Sequence, residues 1–293
     1  MSEAMNLKNL KNTPPWDWPE GARDKLLAIL RDSRATQADR LLAAELASDY
    51  TVIDDELARA LLAIVGRGSE TEEIRGRAAL SLGPALEHAD TVGFDDPDDI
   101  VISEKLFREI QQRLRGLYLD AGISARLRGQ ILEASVRAPQ DWHREAIRAA
   151  YASGDETNKL IAVFAMRFVE GFDEEILQAL TSTNPDIHYH AVHAAGNSSI
   201  DAAWSHIAGL VEDDDTEKSL RLAAIEAVPG ICAREACELL FGLTGSEDED
   251  IAEAATASIA LAEGLMAGDG DSDDSDYGDD SDDSDENEWG ERG

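Results

Sequence analysis

Apolar residues recur at helical spacing through most of the chain. In two segments they fall on one helical face: Leu57, Leu61, Ile64 and Val65, and then Leu106, Ile110, Leu114 and Leu117. No segment alternates apolar and polar residues for long enough to indicate a strand. The pattern therefore predicts an all-α protein.

A longer period of about one helical hairpin lies over this spacing. The segments that begin at Glu73 and Asp186 share an acid, an isoleucine, a basic residue, a pair of small apolar residues and a glycine. Further copies begin at Leu220 and Asp250, and weaker ones at Leu127, at Leu160 and near Ala38. Anchors at 127, 160, 187, 220 and 251 are 33, 27, 33 and 31 residues apart, the length of one helix–turn–helix unit.

Start and stop signals flank these segments. Ser69 with Glu72 and Ser246 with Glu249 have the spacing of a capping box, and Pro185 after Asn184 suits a first helical position. Three glycines lie where helices are predicted to end: Gly83, Gly196 and Gly230.

The repeat resembles the HEAT repeat, in the short HEAT-like form of phycobilisome bilin lyases. The resemblance covers roughly residues 19–264 and implies a right-handed α-α superhelix, a HEAT/armadillo-like solenoid of about seven hairpins. It also implies a ladder between repeats, in which an acid in the inter-helix turn meets a basic residue of the second helix. Arg75, Arg128 and Arg221 match that basic position, whereas His188 and Ala252 depart from it.

Three regions follow from this organisation. Residues 1–18 form an irregular N-terminal arm, 19–267 the solenoid and 268–293 a disordered acidic tail that has too few apolar residues to fold. In the arm, Trp16 and Trp18 cover the end of the first hairpin or form a ligand-binding peptide. Residues 88–102 lengthen one repeat, and are either a functional insertion or a solvated loop.

Charge narrows the choice of partner. The chain has 26 basic and 61 acidic side chains, a net charge of −35. Nucleic acid and anionic membranes are excluded, because both require concentrated Lys and Arg. A protein partner with a basic face is favoured.

The absence of a secretory or membrane-spanning apolar segment predicts a cytoplasmic protein. Cys232 and Cys237 point apart on a helix and are expected to be small core residues.

Histidines and one tryptophan are the candidate site residues. His188, His190, His193 and His206 lack the i, i+4 spacing of a metal-binding helix, and only His190 and His193 share a face. Trp142 and His143 open a helix, where they form either a recognition surface or packing at a repeat junction. The candidate interaction surface therefore consists of Trp142, His143, His188, His190 and His193, and no metal or other cofactor is expected.

Catalytic motifs are missing from the sequence. It contains no GxSxG, P-loop, GxGxxG or paired CxxC pattern. We therefore expect a non-enzymatic interaction scaffold or adaptor. The alternative, implied by the resemblance alone, is a subunit of a bilin lyase-like cofactor-attachment or enzyme-maturation system.

Overall fold

The computed structural model describes residues 6–268, in which the only regular secondary structure is helical. The helices are α1 (Leu7–Lys11), α2 (Ala22–Arg31), α3 (Gln37–Leu46), α4 (Asp55–Gly66), α5 (Glu72–Leu80), α6 (Gly83–Val92), α7 (Glu104–Leu119), α8 (Ala125–Ser135), α9 (Asp141–Ala152), α10 (Glu156–Ala165), α11 (Asp173–Ala179), α12 (Pro185–Asn197), α13 (Trp204–Glu212), α14 (Lys218–Ile231), α15 (Ala233–Leu240) and α16 (Glu249–Gly268). Short 3-10 turns lie at Pro15–Asp17, Asp201–Ala203 and Phe241–Gly245.

Consecutive helices pack as seven hairpins: α2/α3, α4/α5, α7/α8, α9/α10, α11/α12, α13/α14 and α15/α16. The second helices form one continuous row, in which each packs against the second helix of the next hairpin. The predicted helical solenoid of about seven hairpins is thus confirmed. Helix α6 is an addition between the second and third hairpins, and it packs against α7 and α8.

Small residues let α12 and α14 approach closely. A Cβ atom added at Gly230 would lie 2.4 Å from the Gly196 carbonyl oxygen, and one at Gly196 would lie 2.8 Å from Ala227 Cα. Both glycines lie inside the last turn of their helix, and neither has a positive φ. Both glycines thus stand at helix ends, as predicted, but the absence of a side chain serves helix packing rather than a left-handed cap. Gly83 begins α6.

The helix caps differ in part from the prediction. Asn184 caps α12, and Pro185 is its first residue, as predicted. The cap of α5 is Thr71, and the Asp248 carboxylate accepts the first backbone N–H groups of α16. Both true caps follow the predicted ones by two residues, because a short polar turn offers several side chains at a suitable spacing.

The ladder arginines tether helices within a hairpin. Each donates from Nε to a carbonyl oxygen ten residues earlier, in the last turn of the preceding helix: Arg75 to Val65 at 2.9 Å, Arg128 to Tyr118 at 3.1 Å and Arg221 to Val211 at 2.9 Å. A buried ion pair between repeats forms instead from Arg40 of α3 to Glu70, in the turn before α5. Two hydrogen bonds of 2.6 and 2.8 Å join these side chains.

The long third repeat contains both helix and loop. Residues 88–92 belong to α6, and the following loop returns to the solenoid at the buried Ile102. There the Ser103 N–H and hydroxyl donate to the Asp55 carboxylate at 2.7 and 2.8 Å. The extra length thus comes from α6 and from the loop that follows it, and the predicted segment contained only the second half of α6.

The N-terminal segment adds to the first hairpin. Helix α1 lies inside the segment predicted as irregular, and its Leu7 and Leu10 are buried. The Trp18 indole N–H donates to the carbonyl oxygens of Leu10 and Thr13, whereas Trp16 remains 79% exposed.

The predicted acidic tail, from residue 269 onward, lies outside the described residues. Between residues 6 and 268, no helix is long and apolar enough to cross a membrane.

Candidate functional site

The predicted site residues do not form one surface, and His143 is in the interior. Its Nδ1 accepts from the Gln140 N–H at 2.8 Å, which caps α9, and its Nε2 lies 3.0 Å from the Ser135 hydroxyl. The ring is completely buried, which lowers the pKa of His143 to about 4. His143 therefore offers nothing to a partner, and its prediction as a surface residue is wrong.

Trp142 packs over the junction between two hairpins. Its indole N–H donates to Gln140 Oε1 at 2.7 Å, and its ring centroid lies 4.9 Å from that of Tyr118 on α7. The indole N–H, which is the only hydrogen-bonding group of the Trp142 side chain, is therefore already paired with a neighbouring residue. This geometry favours the packing interpretation over a recognition surface.

His188 faces a histidine of the next hairpin. Its Nε2 lies 2.9 Å from Nε2 of His206 on α13, with the ring centroids 5.2 Å apart.

The two cysteines lie outside the core: both are free thiols and only partly buried, contrary to the prediction.

His190 and His193 contribute to a group of stacked side chains on the second helices. We call it the Arg–aromatic cluster, and it consists of Arg137, Phe164, Arg167, Phe168, His190 and His193. The Arg137 guanidinium carbon lies 5.2 Å from the Phe164 ring centroid and 5.7 Å from that of Phe168. The corresponding distances for Arg167 are 5.6 and 5.9 Å. His190 meets Phe164 edge-on at 5.3 Å.

Several polar atoms in this cluster are buried without a hydrogen-bond partner among the described residues: Arg167 Nε, His190 Nδ1 and His193 Nε2. Burial, with a further contribution from Arg167, lowers the pKa of both histidines to about 4, so they are neutral at pH 7. Arg137 pairs with Glu87, whereas no carboxylate of the described chain lies within 4 Å of the Arg167 guanidinium. Arg167 is thus a half-buried cation without a close counter-ion.

A groove of about 610 Å³ opens beside the cluster, between α8 and α10. We call it the α8–α10 groove, and its polar lining includes Gln130, Glu133, Asp155 and Asn158. Burial raises the pKa of the Glu133 carboxyl, although Arg137 and Arg77 act in the opposite direction. Glu133 has no ion-pair partner within 4 Å in the described chain, and Gln130 Oε1 is buried without a hydrogen bond.

The cluster and the groove share one face of the solenoid. Every member of the cluster lies on a second helix or within three residues of its end. Sequence reasoning found the two histidines but missed the arginines and phenylalanines. A usable signal was present, because Arg137 and Arg167 each stand two residues after a second helix, one repeat apart, and Phe164 and Phe168 are separated by one helical turn.

Metal-ligating side chains are dispersed in the described part of the chain. Between residues 6 and 268, no group of three or more His, Cys, Asp or Glu side chains converges in a way that could hold a metal ion. The Arg–aromatic cluster is suited to stacking and hydrogen bonding, and the α8–α10 groove to a cationic or amide group.

Comparisons with known proteins find distant similarity to solved structures and no family match. Neither the scan against protein-family models nor the search of curated proteins finds a match. Among solved structures, the chain is similar to human deoxyhypusine hydroxylase in complex with glycerol, at 15% identity and a TM-score of 0.38, covering 88% of each chain. It is also similar to the Escherichia coli protein YibA, at 13% identity and a TM-score of 0.42, covering 88% of this chain and 95% of that one. Similarity at 14% identity and a TM-score of 0.41 extends to a Kap95p–RanGDP structure, over 90% of this chain and 34% of that one.

The first of these structures corrects one expectation. We predicted that the chain is not an enzyme, because its sequence lacks familiar catalytic motifs. Deoxyhypusine hydroxylase is an enzyme with a HEAT-like fold, so neither this fold nor missing motifs justify the exclusion. The prediction is wrong on that point. The bilin lyase subtype of the repeat is not confirmed.

Proposed function

We propose that the chain is a protein-binding scaffold or adaptor whose second-helix face holds a partner at the Arg–aromatic cluster and the α8–α10 groove. The observation that carries the proposal is the combination of two guanidinium groups stacked on Phe164 and Phe168 with buried nitrogens that lack hydrogen bonds. Arginine and aromatic side chains dominate the energetic centres of protein interfaces. Buried polar atoms without partners are uncommon in native proteins and call for an explanation.

The groove suggests which part of the partner enters. Glu133 is a half-buried carboxylate whose pKa is raised by burial, and it has no ion pair among the described residues. A Lys or Arg side chain of the partner would restore the charged form of Glu133 and would donate hydrogen bonds to its carboxylate. This fits the partner with a basic face that the net charge of −35 favours, since attraction over long range speeds encounter.

The test compares capture by matched variants of the full chain in a lysate of the source cells. Arg167→Ala and Phe168→Ala remove the stacked centre, and Glu133→Gln removes the charge in the groove. The matched controls are Arg108→Ala and Glu104→Gln, which alter exposed residues of the first helix α7. We expect one identified protein that the wild type and both controls retain and the three site variants lose. Equal retention by all five variants would refute the location of the surface.

Salt provides a second readout. Because the encounter is proposed to be electrostatic, association with the captured partner should slow as ionic strength rises, while dissociation changes less. An association rate that is insensitive to salt would contradict a basic partner face.

The proposal that this chain is a scaffold or adaptor includes a cytoplasmic location.

A second candidate function comes from the resemblance to bilin lyase repeats. A groove of about 760 Å³ between α4 and α7 is lined by Arg59, Arg67 and Arg113, and guanidinium groups can bind the carboxylates of a tetrapyrrole. Adding a bilin to the purified protein should then shift its visible absorption, and Arg113→Ala should weaken that shift. An unchanged spectrum would exclude this candidate.

A further inference from the structure

Two histidines from different hairpins point their Nε2 atoms at each other. His188 lies in the first turn of α12 and His206 in the first turn of α13, and their Nε2 atoms are 2.9 Å apart. Without a bound ion, this contact is a hydrogen bond in which one ring donates and the other accepts. His206 is exposed and His188 is half-buried, so solvent reaches the pair.

The distance between the two nitrogens is close to that in a pair of metal ligands. Imidazole binds Zn²⁺ at about 2.0–2.1 Å, so two tetrahedral ligands have nitrogens about 3.3 Å apart. The His188 and His206 nitrogens would need to separate by about 0.4 Å, and each ring would need to turn by roughly 35° so that the two lone pairs, which now point at each other, converge on one ion. Two rigid helices hold the rings, which reduces the entropy lost when a metal is bound.

The acidity of the whole chain favours a cation. The net charge of −35 raises the local concentration of divalent cations. Imidazole ligands select Zn²⁺, Cu²⁺ or Ni²⁺ over Ca²⁺ and Mg²⁺, which prefer oxygen.

We propose that His188 and His206 form a two-histidine site for a borderline divalent transition metal, which joins the fifth hairpin to the sixth. Water completes the coordination, because no third metal-ligating side chain converges there in the described chain. Sequence analysis grouped His188 and His206 among the candidate histidines but did not pair them, since the two residues are 18 positions apart and on different helices. The proposal is independent of the Arg–aromatic cluster, which contains neither residue.

The experiment is a ZnCl₂ titration of the metal-free full chain by calorimetry. Excess MgCl₂ is present throughout, so that carboxylates, including those of residues 269–293, are occupied by an oxygen-preferring ion. We expect one Zn²⁺ per chain and a rise in melting temperature. His188→Ala and His206→Ala should each weaken Zn²⁺ binding by at least about tenfold and remove that rise.

The matched control is the double variant His190→Ala/His193→Ala, which removes two histidines from the same helix as His188 and should bind Zn²⁺ like the wild type. Imidazole ¹⁵N spectra give a direct readout, because the Nε2 signals of His188 and His206 should move on addition of Zn²⁺. Equal binding by the wild type and by His188→Ala/His206→Ala would overturn the proposal, as would a wild type that does not bind Zn²⁺ under these conditions.

Discussion

The close contact between α12 and α14 makes Gly230→Ala a sharp test of the packing. A methyl group at position 230 would lie 2.4 Å from the Gly196 carbonyl oxygen and 3.1 Å from its carbonyl carbon. An ordinary contact needs at least 3.4 Å, so the two helices must separate by roughly 1 Å. Neighbouring backbone atoms, unlike a flexible side chain, cannot rotate out of the way.

The expected loss follows from two opposing effects. Overpacking of a close-packed core costs about 1–3 kcal/mol, whereas replacing a helical glycine by alanine gains about 0.5–1 kcal/mol. We therefore expect Gly230→Ala to lower the free energy of unfolding by about 1–2 kcal/mol. In a protein of this size, that change lowers the melting temperature by several degrees.

The assay is urea unfolding followed by far-UV circular dichroism, with Gly209→Ala as the matched control. Gly209 lies in α13 of the same hairpin, and nothing approaches within 4 Å of its added Cβ. The control should equal or exceed the wild type in stability, because only the helix-propensity gain remains. A Gly230→Ala variant as stable as Gly209→Ala would refute the account of the interface.

Three further changes test other parts of the fold. Glu70→Gln leaves the buried Arg40 without its charged partner and should lower the free energy of unfolding by about 3–5 kcal/mol in urea titrations at pH 7; a loss below 1 kcal/mol would contradict a buried pair. The depressed pKa of His143 means that protonation favours the unfolded chain, so stability from this residue is complete above about pH 6.5 and declines toward pH 4. His143→Gln should therefore remove about 2–3 kcal/mol of the stability difference between pH 7 and pH 4.5, and identical pH profiles would count against the assignment. Arg75→Ala removes the hydrogen bond to the Val65 carbonyl and should lower the free energy of unfolding by about 1 kcal/mol in the same assay. An unchanged free energy of unfolding would mean that solvent replaces this bond and would contradict the prediction.

The hairpin array could be predicted from the sequence because its signals are local. Apolar residues at i, i+4 and i+7 identify the buried side of α4 and α7, and repeat anchors about 31 residues apart set the number of hairpins. Asn184 before Pro185 marks the start of α12 for the same reason, since a helix cap needs only its own neighbours.

Contacts between repeats could not be predicted in this way. His188 meets His206, and Phe164 meets the His190 ring of the next hairpin, only because successive hairpins stack at a particular distance and rotation. The role of Gly230 was misassigned because a glycine that ends a helix and one that admits a neighbouring helix look alike in a single chain.

Sequence by itself thus determined the helical class, the hairpin period and the strongly acidic character, all of which depend on residue type and near-neighbour spacing. Tertiary structure decided which side chains share a face, which polar atoms lose water and which histidines meet. The physical reason is that side chains one repeat apart are brought together by helix packing, whose geometry depends on the shapes of both surfaces at once.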